Sequence, residues 1–292
     1  MRKKYVEIQS VSQFIDLIMN DKTDGALMCY RGQSYYRWKP IPGVYRDDYV
    51  SHAEEASVRE LLTDSPTNFE NDQTMFEKLV RAQHYQLPTR LLDVSLNPLV
   101  ALYFACSDSQ EKDGKVFGFS VIKLDRILQF DSDRMSLISN LARLDFEERE
   151  RIGRYLQSPE RDKRGGIQTK KFKKWFNAQP EVKRLVQFVR VEKPYFLNDV
   201  RPSDLTRYFF VWPKRSHPRL IAQSGAFLAA GLLRFKALEK STSIDVTQYS
   251  IPKDNKQNLI AELDILNING RTLFPEIDNV SKYIRRKHQF NM

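Results

Sequence analysis

Apolar residues recur at helical spacing near the start of the chain. Val11, Phe14, Ile15 and Ile18 lay one stripe along residues 10–20 and predict a capping helix. The pattern then changes: Ala26-Leu27-Met28-Cys29-Tyr30 is an unbroken apolar run that predicts a buried strand, and it runs into Arg31-Gly32-Gln33. Residues 34–46 are rich in aromatics and proline and predict an ordered loop. Helical spacing returns over 52–63 and 73–84. Leu91-Leu92-Asp93-Val94 predicts a short strand, and Asn97-Pro98 a helix start, because Asn caps free amides and proline is tolerated at the first helical position. The helix from Leu99 to Cys106 is apolar almost all round, so it belongs in the core. Further on, Lys115 to Ile122 has strand character, 133–157 is helical and charged, 158–174 reads as a loop or mobile segment, and 180–190 is helical again. Leu220 to Ala230 is small and apolar around Gln223-Ser224-Gly225, which predicts a strand bent at the glycine. Ile244 to Ile251 predicts another strand, and helices at 255–267 and 275–288 close the chain. With no internal repeat and no long linker, the expectation is one α+β domain over 1–292, with 130–190 as an insertion of helices and basic loop.

Composition narrows the class. The 292 residues, 41% of them apolar, suffice for a sizeable core, and 29% charged residues with a mean hydropathy of −0.54 fit a soluble protein. No apolar run approaches the ~18 residues that would read as a membrane span. The first residues, Met1-Arg2-Lys3-Lys4-Tyr5, are basic with no apolar stretch behind them, so no signal peptide is expected. Cys29 and Cys106 sit in apolar contexts and read as buried thiols in a reducing cytoplasm. The net charge of +10 favours polyanionic partners without requiring one. It is densest over 158–174, followed at once by Trp175 and Phe176. Lys170, Lys171, Lys173, Lys174 and Trp175 therefore form a candidate nucleic-acid contact, against the alternative of a solvated loop with a core-docking Trp. There is no Gly-x-Gly-x-x-Gly fingerprint and no phosphate loop of the Gly-x-x-x-x-Gly-Lys type. His52, His84, His217 and His288 lack zinc-ligand spacing, and no metal is expected.

Chemistry concentrates between Arg81 and Cys106, where His84, Thr89, Arg90, Asp93 and Ser95 crowd one turn and strand. Arg90 and Asp93 beside buried leucines are costly unless paired or bound, so the segment is either a fully satisfied structural knot or a site.

These residues also carry a resemblance. Tyr30-Arg31-Gly32-Gln33 with Trp38 and Pro42 resembles the motif that names the FRG-domain family. Gln83-His84-Tyr85, Leu87-Pro88-Thr89-Arg90-Leu91-Leu92-Asp93, Asn97-Pro98 and Ala101-Leu102-Tyr103-Phe104-Ala105 resemble its longest signature. Arg219 with Gln223-Ser224-Gly225-Ala226-Phe227, and Leu273-Phe274-Pro275-Glu276, resemble its later blocks, so that the likeness runs from about 26 to 285. Gln86 stands where that family usually has Gly, Val94 where it has Trp, and Ser95 where Thr is common. The order of blocks is similar to that of ADP-ribosyltransferases: an Arg or His on a first core strand, a Ser/Thr-bearing second strand ahead of a helix, and a Glu or Gln on a later strand. Arg31, then Thr89 to Ser95, then Gln223 follow that order. The resemblance implies a small mixed or antiparallel sheet surrounded by helices and a reaction consuming NAD. It also implies a bacterial anti-phage toxin in the cytoplasm, restrained by an antitoxin partner and independent of any membrane.

Under that resemblance, catalysis falls to Arg31, His84, Asp93 and Gln223, and NAD binding to Tyr30, Arg31, Gly32, Gln33, Thr89, Arg90 and Ser95. Each has a competing reading. The planar Arg31 fork suits phosphate or ribose oxygens, or pairs with Asp93. Gly32 lets backbone approach a ligand. His84 hydrogen-bonds a ribose hydroxyl or shuttles a proton, or simply ends a helix. Arg90 clamps an anion or pairs with Asp93 in a turn; Asp93 polarises the acceptor or orients Arg31, or else orders backbone amides. Ser95 faces the ligand or caps the next helix, and Tyr30 and Tyr35 stack on a base or pack in the core. Gln223 offers a ribose hydroxyl a hydrogen bond but no charge. Gln179-Pro180-Glu181 spells the Gln-x-Glu of some transferases but begins a helix, so it reads as coincidence. The basic run makes nucleic acid the expected acceptor, RNA before DNA. Two other functions stay open: a non-catalytic nucleic-acid-binding module and a metal-dependent nuclease built on Asp93.

Overall fold

The computed structural model describes residues 6–215, 217–232 and 244–277, with 281 and 285. Its strands are β1 (Leu27–Gln33), β2 (Leu91–Ser95), β3 (Gly114–Val121), β4 (Ile127–Gln129), β5 (Tyr208–Trp212), β6 (Gly225–Ala230) and β7 (Ile244–Ile251). They form one sheet in the order β4-β5-β6-β2-β1-β3-β7, antiparallel throughout except for the parallel β4–β5 pair. Around it lie α1 (Val11–Asp21), α2 (Asp48–His52), α3 (Glu54–Asp64), α4 (Pro66–Phe69), α5 (Met75–His84), α6 (Pro98–Cys106), α7 (Asp133–Asn140), α8 (Phe146–Gln157), α9 (Pro159–Lys163), α10 (Lys170–Asn177), α11 (Pro180–Glu192), α12 (Pro218–Ala222), α13 (Lys256–Ile265) and α14 (Gly270–Leu273). The class is α+β, with a single mixed sheet of seven strands. Among the described residues no helix is long and apolar enough to cross a membrane.

Local chemistry sets the helix starts. Asn97 accepts the Leu99 amide at 2.9 Å, and Pro98 follows at the first helical position. Thr74 and Glu77 close a reciprocal capping box on α5, as do Asp145 and Glu148 on α8.

Three apolar clusters use the period-two alternation of the strands. Leu91, Phe209, Val211, Phe227 and Ala229 face helices α3, α5, α7, α8, α10 and α11. Tyr30, Val116, Tyr249 and Ile251 pack with α1, α6 and α13. The third cluster joins Cys29, Leu92, Val94, Phe117, Phe119, Phe210, Ala226 and Leu228, and no helix supplies a buried member. That face draws its buried residues from both halves of the sheet, β7–β3–β1 and β2–β6–β5, with Tyr45 and Leu96 packed against it. The fold line between the halves runs between β1 and β2, which share a single register pair, Tyr30 with Ser95.

Gly32 sits where α6 crosses β1: a Cβ there would lie 1.8 Å from the Ala101 carbonyl oxygen. The close approach that needs this glycine is thus by a helix rather than by a ligand.

Several elements differ from the sequence reading. Residues 158–174 hold α9 and the start of α10, not a mobile loop: Phe172 and Phe176, one turn apart, are fully buried and Trp175 packs beside them. Each such phenylalanine gains roughly 1.5–3 kcal/mol by burial, enough to dock a helix whose lysines stay outside. Leu220 to Ala230 is not one bent strand; α12 ends at Ala222 and β6 begins at Gly225, with Ser224 at φ 47° making the corner. Strands β4 and β5 were not anticipated. The expected 275–288 helix falls largely outside the described residues.

Candidate functional site

A cleft of about 390 Å³ opens where the sheet divides, a size in the usual range for small-molecule sites (~300–1,000 Å³). Tyr30, Arg31 and Gly32 of β1 form one wall and Asp93, Val94 and Ser95 of β2 another; α5 supplies Phe76, Glu77, Arg81, Gln83 and His84, while His217, Arg219, Leu220 and Gln223 come from α12 and its ends. Arg31, His84, Asp93 and Gln223, far apart in the chain, line this one hollow.

Arg31 is well ordered by its surroundings. Its Nη1 donates to the Asp93 carbonyl at 2.6 Å, using an acceptor left over where β1 and β2 part, and lies 3.7 Å from the Asp93 carboxylate. Only 18% of the Arg31 side chain is exposed, against 63% for Asp93. Burial draws the Arg31 pKa down from its ordinary value, opposed by the Asp93 charge. Its Nε is buried and has no hydrogen-bond partner among the described residues. The Arg31–Asp93 pairing is real, and it orients the guanidinium at the cleft wall.

Ser95 and Gln223 form the opposite corner. Ser95 Oγ donates to the Gln223 carbonyl at 2.7 Å and accepts the Asn97 amide at 3.0 Å, so its donor is already committed. Gln223 caps the end of α12, and its Nε2 donates to the Leu273 carbonyl at 3.0 Å. The amide oxygen is the group it can offer to a hydroxyl. Gln86, at φ 71°, occupies the left-handed region in which glycine is at ease.

His84 ends α5, and its ring centre lies 4.2 Å from that of His217. Burial lowers the pKa of both imidazoles; for His84 the neighbouring His217 and Arg219 add to the effect, while Glu276 opposes it at both rings. The Arg219 amide donates to His217 Nδ1 at 3.3 Å, which leaves the proton of a neutral His217 on Nε2. His217 has no metal-ligand spacing to mark it in the sequence. Its place just ahead of Pro218, as a helix cap, was the available signal. The cleft's other charges are largely matched: Arg81 grips Asp72 with bonds of 2.6 and 2.8 Å, and Lys214 lies 3.3 Å from Glu77. Arg219 lies over the Phe274 ring at 4.7 Å.

Other expected ligand-binding residues lie elsewhere. Arg90 is fully buried and does not reach the cleft, nor does it pair with Asp93. Its Nη2 donates to Glu54 at 2.6 Å and its Nη1 to the Ala230 carbonyl at 3.2 Å, while Arg149 binds the same Glu54 carboxylate. Thr89 is buried outside the cleft lining; its hydroxyl donates to Gln83, which does line it. Gln33 points its amide at the Lys39 carbonyl (3.2 Å) and borders a second hollow instead. Tyr30 reaches the cleft but is otherwise core, and burial pushes its pKa up to about 12. The basic helix α10 contributes nothing to either hollow: Lys173 pairs with Asp199, and Trp175 packs on Phe172 and Tyr155. Lys170, Lys171 and Lys174 are exposed beside it. Among the described residues no group of three or more His, Cys, Asp or Glu gathers as a metal-ligand cluster. Cys29 and Cys106 are buried free thiols.

The FRG domain family model matches residues 26–114. The chain carries an FRG domain. The FRG segment runs from the residue before β1 to the first residue of β3 and brings Tyr30, Arg31, Gly32, His84, Asp93 and Ser95 to the cleft. His217, Arg219 and Gln223, which complete the cleft, lie beyond it. No curated protein and no solved structure matches the chain.

Proposed function

We infer that the cleft binds NAD and that the protein is an ADP-ribosyltransferase acting on nucleic acid, RNA before DNA. The observation that carries the reading is the meeting of Arg31 and Gln223 in one hollow at the division of the sheet, with Ser95 hydrogen-bonded to the Gln223 backbone. The order Arg31 on the first strand, Ser95 ending the second ahead of a helix, then Gln223 resembles that of transferases, which carry the last group on a later strand; here Gln223 caps α12, two residues ahead of β6.

The chemistry follows from the groups present. The bond between C1′ of the ribose and the nicotinamide nitrogen breaks, its electron pair leaves with nicotinamide, and an acceptor oxygen or nitrogen forms the new bond to C1′. Arg31 and Arg219 hold pyrophosphate oxygens and neutralise their charge. The Gln223 amide oxygen fixes a ribose hydroxyl. The Asp93 carboxylate, largely exposed and beside Arg31, faces the positive charge that builds on the ribose. His84, neutral at pH 7, takes the proton the acceptor gives up. The restraining antitoxin and the role in phage defence belong to the same proposal and rest on the family resemblance alone.

The test is to incubate the purified protein with labelled NAD and separate pools of RNA, DNA and protein, following nicotinamide release and label transfer. Arg31→Ala is expected to lower turnover by ~10²-fold or more, the scale for losing one charge-stabilising donor. Undiminished turnover in that variant, or no NAD consumption by the wild type with any pool, ends the reading.

A further inference from the structure

A second hollow of about 600 Å³ adjoins the first, and Arg31, Gly32 and Phe104 line both. Its walls carry Arg37, Lys39 and Arg46, with Asp108 as the one acidic residue lining it. Trp38 stands in the same wall with 51% of its surface exposed, and Tyr36 beside it is 41% exposed. Both rings keep a large exposed face beside cations, and the Arg37 guanidinium lies 5.6 Å over the Tyr36 ring while its Nε donates to the Tyr36 hydroxyl at 3.0 Å.

The wall is rigid. Tyr36 N–H donates to the Asp113 carbonyl at 2.8 Å, Trp38 N–H to the Tyr35 carbonyl at 3.1 Å, and Gln33 to the Lys39 carbonyl. Tyr35 touches Tyr36 and Trp38 edge-on, and Lys112 covers the Tyr35 ring at 4.6 Å. Behind the wall the buried Lys256 donates to the carbonyls of Ser34, Asp108 and Ser109 at 2.8–3.0 Å, binding the start of the loop to the exit of α6. A platform ordered before binding loses little entropy when it is occupied.

We propose that this groove holds the single-stranded nucleic-acid acceptor, with bases stacked on Trp38 and Tyr36 and phosphates on Arg37, Lys39 and Arg46. Along Tyr36-Arg37-Trp38-Lys39, rings and cations alternate as bases and phosphates do along a strand. A duplex hides its base faces and cannot use the rings, and an acidic polypeptide has no bases to stack. Because the groove opens onto the cleft at Arg31, a strand lying in it presents its sugar or base edge to the bound NAD. The inference rests on the transferase reading for what the strand is there to do, but the binding itself needs no NAD.

The experiment is fluorescence anisotropy of a labelled single-stranded RNA of about 12 nucleotides, within the usual span of such sites, on the full chain without NAD across a salt series. Binding is expected to weaken steeply with salt. Trp38→Ala should weaken it by ~5-fold or more and Trp38→Phe should restore most of the loss, the scale of one stacked base. Arg37→Glu with Lys39→Glu should abolish it, while Lys170→Glu with Lys171→Glu leaves it intact. Circular dichroism checks that each variant is folded. Equal affinity for duplex, poly-glutamate binding as tight as RNA, unchanged binding in the Trp38 and Arg37/Lys39 variants, or a loss of ADP binding in those variants while RNA binding holds would each overturn the proposal. Absence of NAD turnover alongside intact, Trp38-dependent RNA binding would sink the transferase reading and leave this surface standing.

Discussion

His84 and His217 put two imidazoles in van der Waals range inside the cleft, and their common chemistry sets a pH dependence. Burial lowers both folded values below the ordinary 6.5, with the Glu276 charge acting the other way. Between the folded values and 6.5 the unfolded chain therefore binds more protons. The stability these residues contribute is full above 6.5 and is lost as pH falls through the folded values. The same shift keeps His84 unprotonated at neutral pH, ready to accept a proton. On the proposed transferase reaction, NAD turnover should accordingly hold level from pH 8 down to about 6.5 and fall only in more acid buffer, with both imidazoles neutral across the plateau. His84→Gln should lower the plateau by ~10²-fold and remove the acid limb. A profile that stays flat to pH 5 in the wild type, measured by nicotinamide release, would deny His84 this role. At this scale the sequence was legible in part. Arg31, His84, Asp93 and Gln223 could be nominated from type and order, but Arg90 could not be separated from them. Its partner Glu54 lies 36 positions away, and a buried ion pair reads the same as a ligand clamp until both ends are placed.

At the scale of elements, the crossing of β1 and α6 holds the first wall of the cleft. Gly32 is the contact point, and the backbone of Ala101 and Ala105 occupies the space a side chain would need. Gly32→Ala must therefore push α6 away from the sheet, moving Arg31 and Phe104 together. The expected loss is roughly 3 kcal/mol, the upper end for overpacking a tight contact, and urea denaturation should read it. An alanine variant as stable as the wild type would mean that α6 is not seated as described. Helices α1 and α5 are readable because a capping side chain and an apolar stripe mark them locally, α6 because Asn97-Pro98 announces its start, and α11 because Pro180 opens a stripe of buried valines and a leucine. Helix α10 was obscured by its own lysines, which conceal the Phe172, Trp175 and Phe176 stripe. Strand β4 is three residues long, too short to show a pattern. The residues before β6 read as strand because α12 has only about one turn, and the corner at Ser224 uses a conformation that serine rarely adopts.

At the scale of the whole molecule, one buried carboxylate joins the helical layer to the sheet. Glu54, the first residue of α3, receives Arg90 from the root of β2 and Arg149 from α8. Those guanidiniums also bind the Ser51 carbonyl beside α3 and the Ala230 carbonyl at the end of β6. Such a cluster adds little net stability, because removing three charges from water offsets most of their attraction. What matters is the asymmetry. Glu54→Gln leaves two guanidiniums buried without a counter-charge and should cost roughly 3–5 kcal/mol, a large share of the ~5–15 kcal/mol that holds a typical domain together. Replacing all three at once by apolar side chains of similar volume, Glu54→Leu with Arg90→Met and Arg149→Met, should be nearly neutral by the same reasoning. Urea unfolding of the single and triple variants separates the two cases. If the single variant is as stable as the wild type, or the triple is as unstable as the single, the carboxylate is not the joint between the layers. The strand that starts at this joint ends at Asp93 and Ser95, so a loosened root in Glu54→Gln should also blur the cleft wall, whereas the triple variant should keep it.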